Sequence, residues 1–230
     1  MNKRFEIRKL TENDVEEVAR LMSHVFSERE VIGIRINETP QNNYNNFSRP
    51  ETVKCSKQDL SFICLDTSLP LGEQVVGFRL CSTLTVGVFE NKSDFTVGHA
   101  LGSFFNDCKI RYLKAHKETI HSDHLYFVSL GVKNGYENKG IASKLTKVAL
   151  NNAKIKGLKF VMANASAAAT QRIFEHKLKM KTVYSIAYDD IEYNGVKFLN
   201  GITDPKNFVV YELNLSEWNI EDNEVQLHFD

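Results

Sequence analysis

The chain has 230 residues, 42% of them hydrophobic and 25% charged, and its 29 Lys and Arg balance its 29 Asp and Glu. That length can bury an adequate core in one large domain or two small ones, and zero net charge excludes the basic excess expected of a nucleic-acid binder. No run of 18 apolar residues occurs, and the start, Met1-Asn2-Lys3-Arg4-Phe5, lacks the apolar stretch of a signal peptide, so a cytoplasmic protein with no membrane partner is expected. The four cysteines (Cys55, Cys64, Cys81, Cys108) are scattered, with no Cys-x-x-Cys and no His at zinc spacing. They read as reduced thiols, with neither a disulfide frame nor a metal site expected. Five Asn-x-Ser/Thr sequons, among them Asn46-Phe47-Ser48 and Asn91-Lys92-Ser93, are expected to be chance in an Asn-rich chain.

Phe5 to Leu10 alternates apolar and polar residues and reads as a half-buried strand. Thr11, with Asp14 three positions on, is a helix N-cap, and Val15, Val18, Leu21, Met22 and Val25 follow at helical spacing. The polar stretch from Glu28 to Pro50, with Asn42, Asn43, Asn45 and Asn46, is a short helix or a long loop. Ser61 to Leu65 and Val75 to Leu84 are strands of an antiparallel hairpin, separated by the turn residues Ser68-Leu69-Pro70-Leu71-Gly72-Glu73. His99 to His116 is a helix with Leu101, Phe104, Phe105, Cys108 and Tyr112 on one side. Leu125 to Val132 is apolar on both faces, as in the middle of a sheet.

Residues 132 to 145, Val-Lys-Asn-Gly-Tyr-Glu-Asn-Lys-Gly-Ile-Ala-Ser-Lys-Leu, join that strand through a glycine turn (Gly135, Gly140) to a helix starting at about Gly140. The leading N–H groups of such a helix have no partner and the helix dipole is positive there, so the corner is an anion site. Ile141, Leu145, Val148, Ala149, Asn152 and Ile155 fall on one helical stripe, Gly157 closes the helix, and Leu158 to Ala163 is a second buried strand. Strand, helix and strand make a βαβ crossover, so the two strands should be parallel. A short helix from Ser166 to Leu178 and two antiparallel strands, Thr182 to Asp190 and Phe208 to Leu215, follow. No repeat or linker divides the chain: one mixed α/β domain over residues 1–218 is expected, then a loosely held tail over 219–230.

This order of elements resembles the GNAT superfamily of N-acetyltransferases. The family's acetyl-CoA motif (Gln or Arg, two residues, Gly, one residue, Gly or Ala) lies over Glu137-Asn138-Lys139-Gly140-Ile141-Ala142, between Leu130-Gly131-Val132 and Ser143-Lys144-Leu145. Ser166 through Met180, including Thr170-Gln171-Arg172-Ile173-Phe174-Glu175, is similar to the second cofactor-side motif. Within the superfamily the chain looks like the arylalkylamine N-acetyltransferases of invertebrates. The segments that carry this are Phe26-Ser27-Glu28-Arg29-Glu30-Val31-Ile32, the pair Ser166 and Thr170, and Tyr188-Asp189-Asp190-Ile191-Glu192-Tyr193-Asn194-Gly195. The resemblance implies a mostly antiparallel GNAT sheet with a parallel pair at the βαβ unit and helices on both faces. It also implies acetyl-CoA as co-substrate, held by the main chain of Leu130, Gly131, Val132, Glu137, Asn138, Lys139, Gly140, Ile141 and Ala142. There are departures. Glu137 replaces the usual Gln or Arg, tolerable if it faces water; Phe174 stands where many relatives have a tyrosine acid; and Val128 stands where vertebrate members have a histidine.

Amine attack on a thioester needs a neutral nucleophile, oxyanion stabilisation and protonation of the leaving thiolate. An alkylamine with a pKa of about 10 is roughly one part in a thousand neutral at pH 7. By resemblance Glu30 is the base, with Val31 and Ile32 beside it to desolvate it, against the plainer reading of a solvated surface Glu. Ser166 and Thr170, four apart and so on one helical face, orient the amine or relay a proton, or are simply an N-cap and a filler. Tyr184 and Tyr188 are alternative acids, with packing as their expected role. Lys139 and Lys144 could add charge near the CoA phosphates. Three functions stay open: acetyl transfer to a small primary amine such as an arylalkylamine, transfer to a polyamine, amino acid or peptide N-terminus, and non-catalytic acyl-CoA binding. The expected partners are the amine and acetyl-CoA, in a monomer or weak dimer.

Overall fold

The computed structural model describes residues 3–87, 95–116 and 121–230; the sequon at Asn91 lies outside them. Strands β1 (Phe5–Lys9), β2 (Phe62–Asp66), β3 (Val75–Thr83), β4 (His124–Val132), β5 (Phe160–Ala165), β6 (Lys181–Ala187), β7 (Asn207–Asn214) and β8 (His228–Phe229) form one sheet in the order β6-β7-β5-β4-β3-β2-β1-β8. Neighbours are antiparallel except β4 and β5, the pair expected from the βαβ pattern. Helices α1 (Val15–Glu28), α2 (Val31–Arg35), α3 (Pro40–Asn43), α4 (Arg49–Ser56) and α5 (Val97–Ala115) precede β4, while α6 (Ile141–Ile155) and α7 (Ala168–Arg172) follow it. On one face Val18, Met22 and Cys55 of α1 and α4 pack on Ile63, Phe78 and Leu80, and Cys108 and Tyr112 of α5 pack on Tyr126, Met162 and Val210. On the other, Leu145, Ala149 and Ala153 of α6 pack with Phe174 over Cys64, Phe127, Val161 and Tyr211. All four cysteines are free and buried. Among the described residues no helix is long and apolar enough to cross a membrane.

Two irregularities in β4 position the site. Leu80 pairs with Ser129 but Cys81 with Phe127, so Val128 is an extra, bulged residue. Pairing of β4 with β5 covers only His124–Phe127 against Phe160–Ala163. Beyond it β4 continues alongside β3 to Val132 and β5 alongside β7 to Ala165. The two parallel strands part like the arms of a wedge.

Several expectations are corrected. The polar stretch after Glu28 is helical nearly throughout, with one π-helical turn (Tyr44–Ser48) running from α3 into α4. Its buried face is polar: the Ser48 hydroxyl donates to Asn43 Oδ1 at 2.6 Å and Thr52 to the Ser48 carbonyl at 2.7 Å, so no apolar period shows. On α6 the buried set is Ile141, Leu145, Thr146, Ala149, Leu150 and Ala153, and Ile155 is 73% exposed. The stripe is rotated because small Ala153 and polar Thr146, not the larger Ile155, face the sheet. The expected loose tail returns as β8: Phe229 pairs with Phe5 and stacks on it at 5.2 Å between ring centroids.

The absence of a side chain at Gly131 is required by the protein itself. A Cβ there would lie 2.4 Å from Cζ of the fully buried Phe78. Gly131→Ala should therefore cost about 1–3 kcal/mol through overpacking. Chemical denaturation reads this, and an unchanged midpoint would show that the ring has room to move.

Candidate active site

At the end of the β4 arm the chain turns through three left-handed residues, Gly135 (φ 84), Asn138 (φ 62) and Gly140 (φ 77), into α6. Glycine or asparagine is what such angles favour. The helical hydrogen-bond ladder begins with the Lys144 N–H donating to the Gly140 carbonyl at 3.0 Å. The amides just ahead of Lys144 therefore head a 15-residue helix without helical partners. Tyr136 fastens this loop to the sheet edge: its hydroxyl donates to Asp66 Oδ2 at 2.8 Å, as does Arg4 at 2.7 Å. Burial opposes the charge on Asp66, but hydrogen bonds from Arg4, Ser68 and Tyr136 outweigh it and hold the carboxyl far below the usual range. Lys139 is exposed, while Lys144 Nζ turns onto the Phe229 ring, 4.8 Å from its centroid.

The Glu137 side chain is 34% exposed and is held by two partners. Its Oε2 accepts the Gly135 N–H at 2.8 Å and its Oε1 lies 2.7 Å from the Arg29 guanidinium. Its own amide, then Gly135 and Arg29, hold the carboxyl below its ordinary range. Arg29 also donates to the Val132 carbonyl at 3.0 Å. The carboxylate thus stands on the loop ahead of the amide corner, and its charge is answered by Arg29 from the segment after α1.

The residue after Arg29 serves the other arm. Glu30 caps α2, with Oε2 accepting the Gly33 N–H at 2.9 Å, while Oε1 is buried with no hydrogen-bond partner. Burial pushes its pKa up; the Ser166 hydroxyl and the Gly33 and Ile32 N–H groups act the other way. Ser166 directly follows β5, and its carbonyl accepts the Tyr188 hydroxyl at 2.8 Å. Burial, then the nearby Glu30 charge, drive the Tyr188 pKa upward. Glu30, Ser166 and Tyr188 therefore meet at the end of the β5 arm. Sequence reasoning had set Tyr188 aside with Tyr184, whose hydroxyl is engaged by the Cys108 carbonyl at 3.0 Å. The signal that could have singled it out is its position in the Tyr188-Asp189-Asp190 turn rather than within a strand.

Thr170 is not brought into this group. Ser166 lies outside α7, whose N-cap is Ala167, so the two hydroxyls do not share a helical face. No hydrogen bond joins Thr170 to Glu30 or Ser166 among the described residues. Phe174 is fully buried against Phe127 and Tyr211, at 5.9 and 5.5 Å between centroids. Of the expected cofactor residues, Leu130, Gly131 and Val132 line the β4 arm and Glu137 to Ala142 form the corner at its tip.

No protein-family profile and no curated protein sequence matches the chain. Solved structures do. The C-terminal condensation domain of Ebony, in complex with beta-alanyl-dopamine, is 15% identical with a TM-score of 0.73, covering 93% of this chain and 100% of that one. Arylalkylamine N-acetyltransferase 2 from Aedes aegypti is 14% identical with a TM-score of 0.67, over 92% and 99% of the two chains. An agmatine N-acetyltransferase variant in its apo form is 11% identical with a TM-score of 0.70, over 92% and 99%. The chain has the GNAT fold, as the sequence resemblance implied.

The charge arrangement at the corner predicts how a diphosphate ligand responds. Glu137→Gln should raise affinity for CoA about fivefold, and Arg29→Ala should lower it by about as much, since a unit charge near 4 Å in water is worth roughly 1 kcal/mol. Calorimetry on both variants and the double variant reads this, and affinities that ignore both charges would place the ligand elsewhere.

Proposed function

We propose that the protein is an acetyl-CoA-dependent N-acetyltransferase that passes the acetyl group directly to a small primary amine, an arylalkylamine before other classes. The observation that carries this is Glu30: a desolvated carboxylate with one oxygen lacking any partner, beside Ser166 at the end of one arm of the β4–β5 wedge. The amide-rich corner ends the other arm. The neighbours named for arylalkylamine and agmatine acetylation support an amine as acceptor.

In this reading the corner amides from Asn138 to Ala142 hold the diphosphate and the pantetheine arm lies along β4 from Leu130 to Val132. The ammonium gives a proton to Glu30 Oε1, whose burial raises its basicity above that of an ordinary carboxylate and so lowers the cost of the exchange. Ser166 orients the amine, and main-chain N–H groups of the β4 arm meet the carbonyl oxygen as charge builds on it. Apolar and aromatic groups, Ile32, Tyr188, Ile191 and Phe198, share a cluster on the Glu30 side. No second carboxylate acts on Glu30 among the described residues, which favours an aryl group over a polyamine's second cation. One alternative has a specific observation in its favour: a non-catalytic acyl-CoA binder, because a carboxylate, Glu137, stands on the loop that leads into the corner amides.

A thiol-release assay over tryptamine, dopamine, phenylethylamine, spermidine and peptides separates the readings. Release with the arylalkylamines supports the proposal; release only with spermidine or peptides transfers it to those acceptors; CoA binding without release leaves a binder. Glu30→Gln should lower turnover by about 10²–10⁴-fold with little change in CoA affinity. The pH profile of the wild type should rise through a limb above the ordinary carboxylate range, and that limb should vanish in the variant. The sign for stability is opposite. Because the folded state holds the Glu30 proton more tightly than the unfolded chain does, stability falls as pH rises from about 4.5 through the raised pKa. Glu30→Gln should therefore raise the melting temperature at neutral pH while it lowers activity. A lower melting temperature with unchanged turnover would make Glu30 only a helix cap.

A further inference from the structure

Arg79, in the middle of β3, is 2% exposed. Its guanidinium lies 4.0 Å from the centroid of the Phe127 ring and 5.7 Å from that of Phe174. One nitrogen, Nη2, donates to Thr146 Oγ1 at 3.3 Å, while Nε is buried with no partner at all. No carboxylate acts on the group among the described residues. The one ionisable neighbour is the Cys81 thiol, which burial pushes up to about 12 and so keeps neutral. Burial lowers Arg79 itself only to about 10, so the guanidinium stays charged at neutral pH. Two aromatic faces offset part of the cost of burying this cation, but a hydrogen-bonding nitrogen remains unsatisfied.

The location gives the cation a use. Phe127 is the last residue of β4 paired with β5, so the charge sits against the apex of the wedge. Phe174, the second ring against the charge, has no hydroxyl to offer. Resting on the transferase reading above, we propose that Arg79 is the fixed positive charge that stabilises the sulfur of CoA as it leaves. The C–N bond forms while the C–S bond breaks, and the electron pair of the C–S bond stays on sulfur. Starting from the neutral amine, nitrogen loses one proton to solvent by way of Glu30, and the thiolate takes up one from solvent as CoA departs. Arg79 gives and takes no proton. It lowers the energy of the anion, which a phenylalanine cannot do.

The test is the ultraviolet thiolate absorbance of free CoA bound to the protein, titrated with pH, with desulfo-CoA as the blank. In the wild type the bound thiol should titrate about one unit or more below the value of the same thiol in CoA free in solution. It should return to that value in Arg79→Met and stay low in Arg79→Lys. Turnover should fall about 10²–10³-fold in Arg79→Met with desulfo-CoA affinity unchanged. A bound thiol that titrates at or above the free value in the wild type, or a lowered one that survives in Arg79→Met, overturns the proposal. Should Arg79→Met fail to fold, the wild-type titration still decides. Absence of CoA binding would overturn the transferase reading and this proposal together, whereas binding and turnover without a thiol shift would overturn this proposal alone.

Discussion

The parting of β4 from β5 after Phe127 and Ala163 is the constraint on which the rest of the site depends. In a regular parallel pair both edges of β4 would be consumed by neighbours, leaving no main-chain groups to spare. Here the bulge at Val128 and the divergence beyond it give β4 an arm with one edge on β3 and the other facing an opening. A glycine-dependent turn then delivers the head of α6 to the tip of that arm. The amide-rich corner and the open edge both follow from how β4 leaves its pairing and ends.

Charge is distributed around the opening in a consistent way. Two consecutive residues, Arg29 and Glu30, reach its two arms: the first touches the Val132 carbonyl and Glu137, the second lies beside Ser166. One short segment after α1 thus connects the end carrying the amide-rich corner to the end carrying the desolvated carboxylate. Arg79 lies at the apex between them. An acid with a raised pKa, an ion pair on the loop and an unpaired buried cation all deviate from what stability alone would select, and such deviations gather at functional sites.

How legible this was in the sequence depended on whether a feature had a local period or a motif. The apolar run ending at Val132, the glycine turn and the helix after it were readable because the backbone demands Gly or Asn at positive φ and a buried strand demands apolar residues on both faces. The motif resemblance supplied the fold and pointed to Glu30 and Ser166. What stayed hidden depended on distant partners. The α2 to α4 segment buries polar side chains satisfied by each other, so its pattern looks like a loop. Glu137 finds its cationic partner in Arg29, 108 positions earlier by number. At Gly131 the motif pointed to the main chain, and only the register of β3 shows that Phe78 fills the space a side chain would need. Ser166 and Thr170 have helical spacing, but the chain does not enter the helix until Ala168.

The return of the last residues to β1 has a consequence for the behaviour of the protein in solution. A bare outer strand offers its amides and carbonyls as a template for other chains. Here the Ile7 amide is taken by the Leu227 carbonyl and the Arg4 amide by Asp230 Oδ1, while β8 itself is only two residues long. The main-chain N–H groups of Ile7 in β1 and of Arg4 just before it are thereby taken within the chain and withheld from other chains.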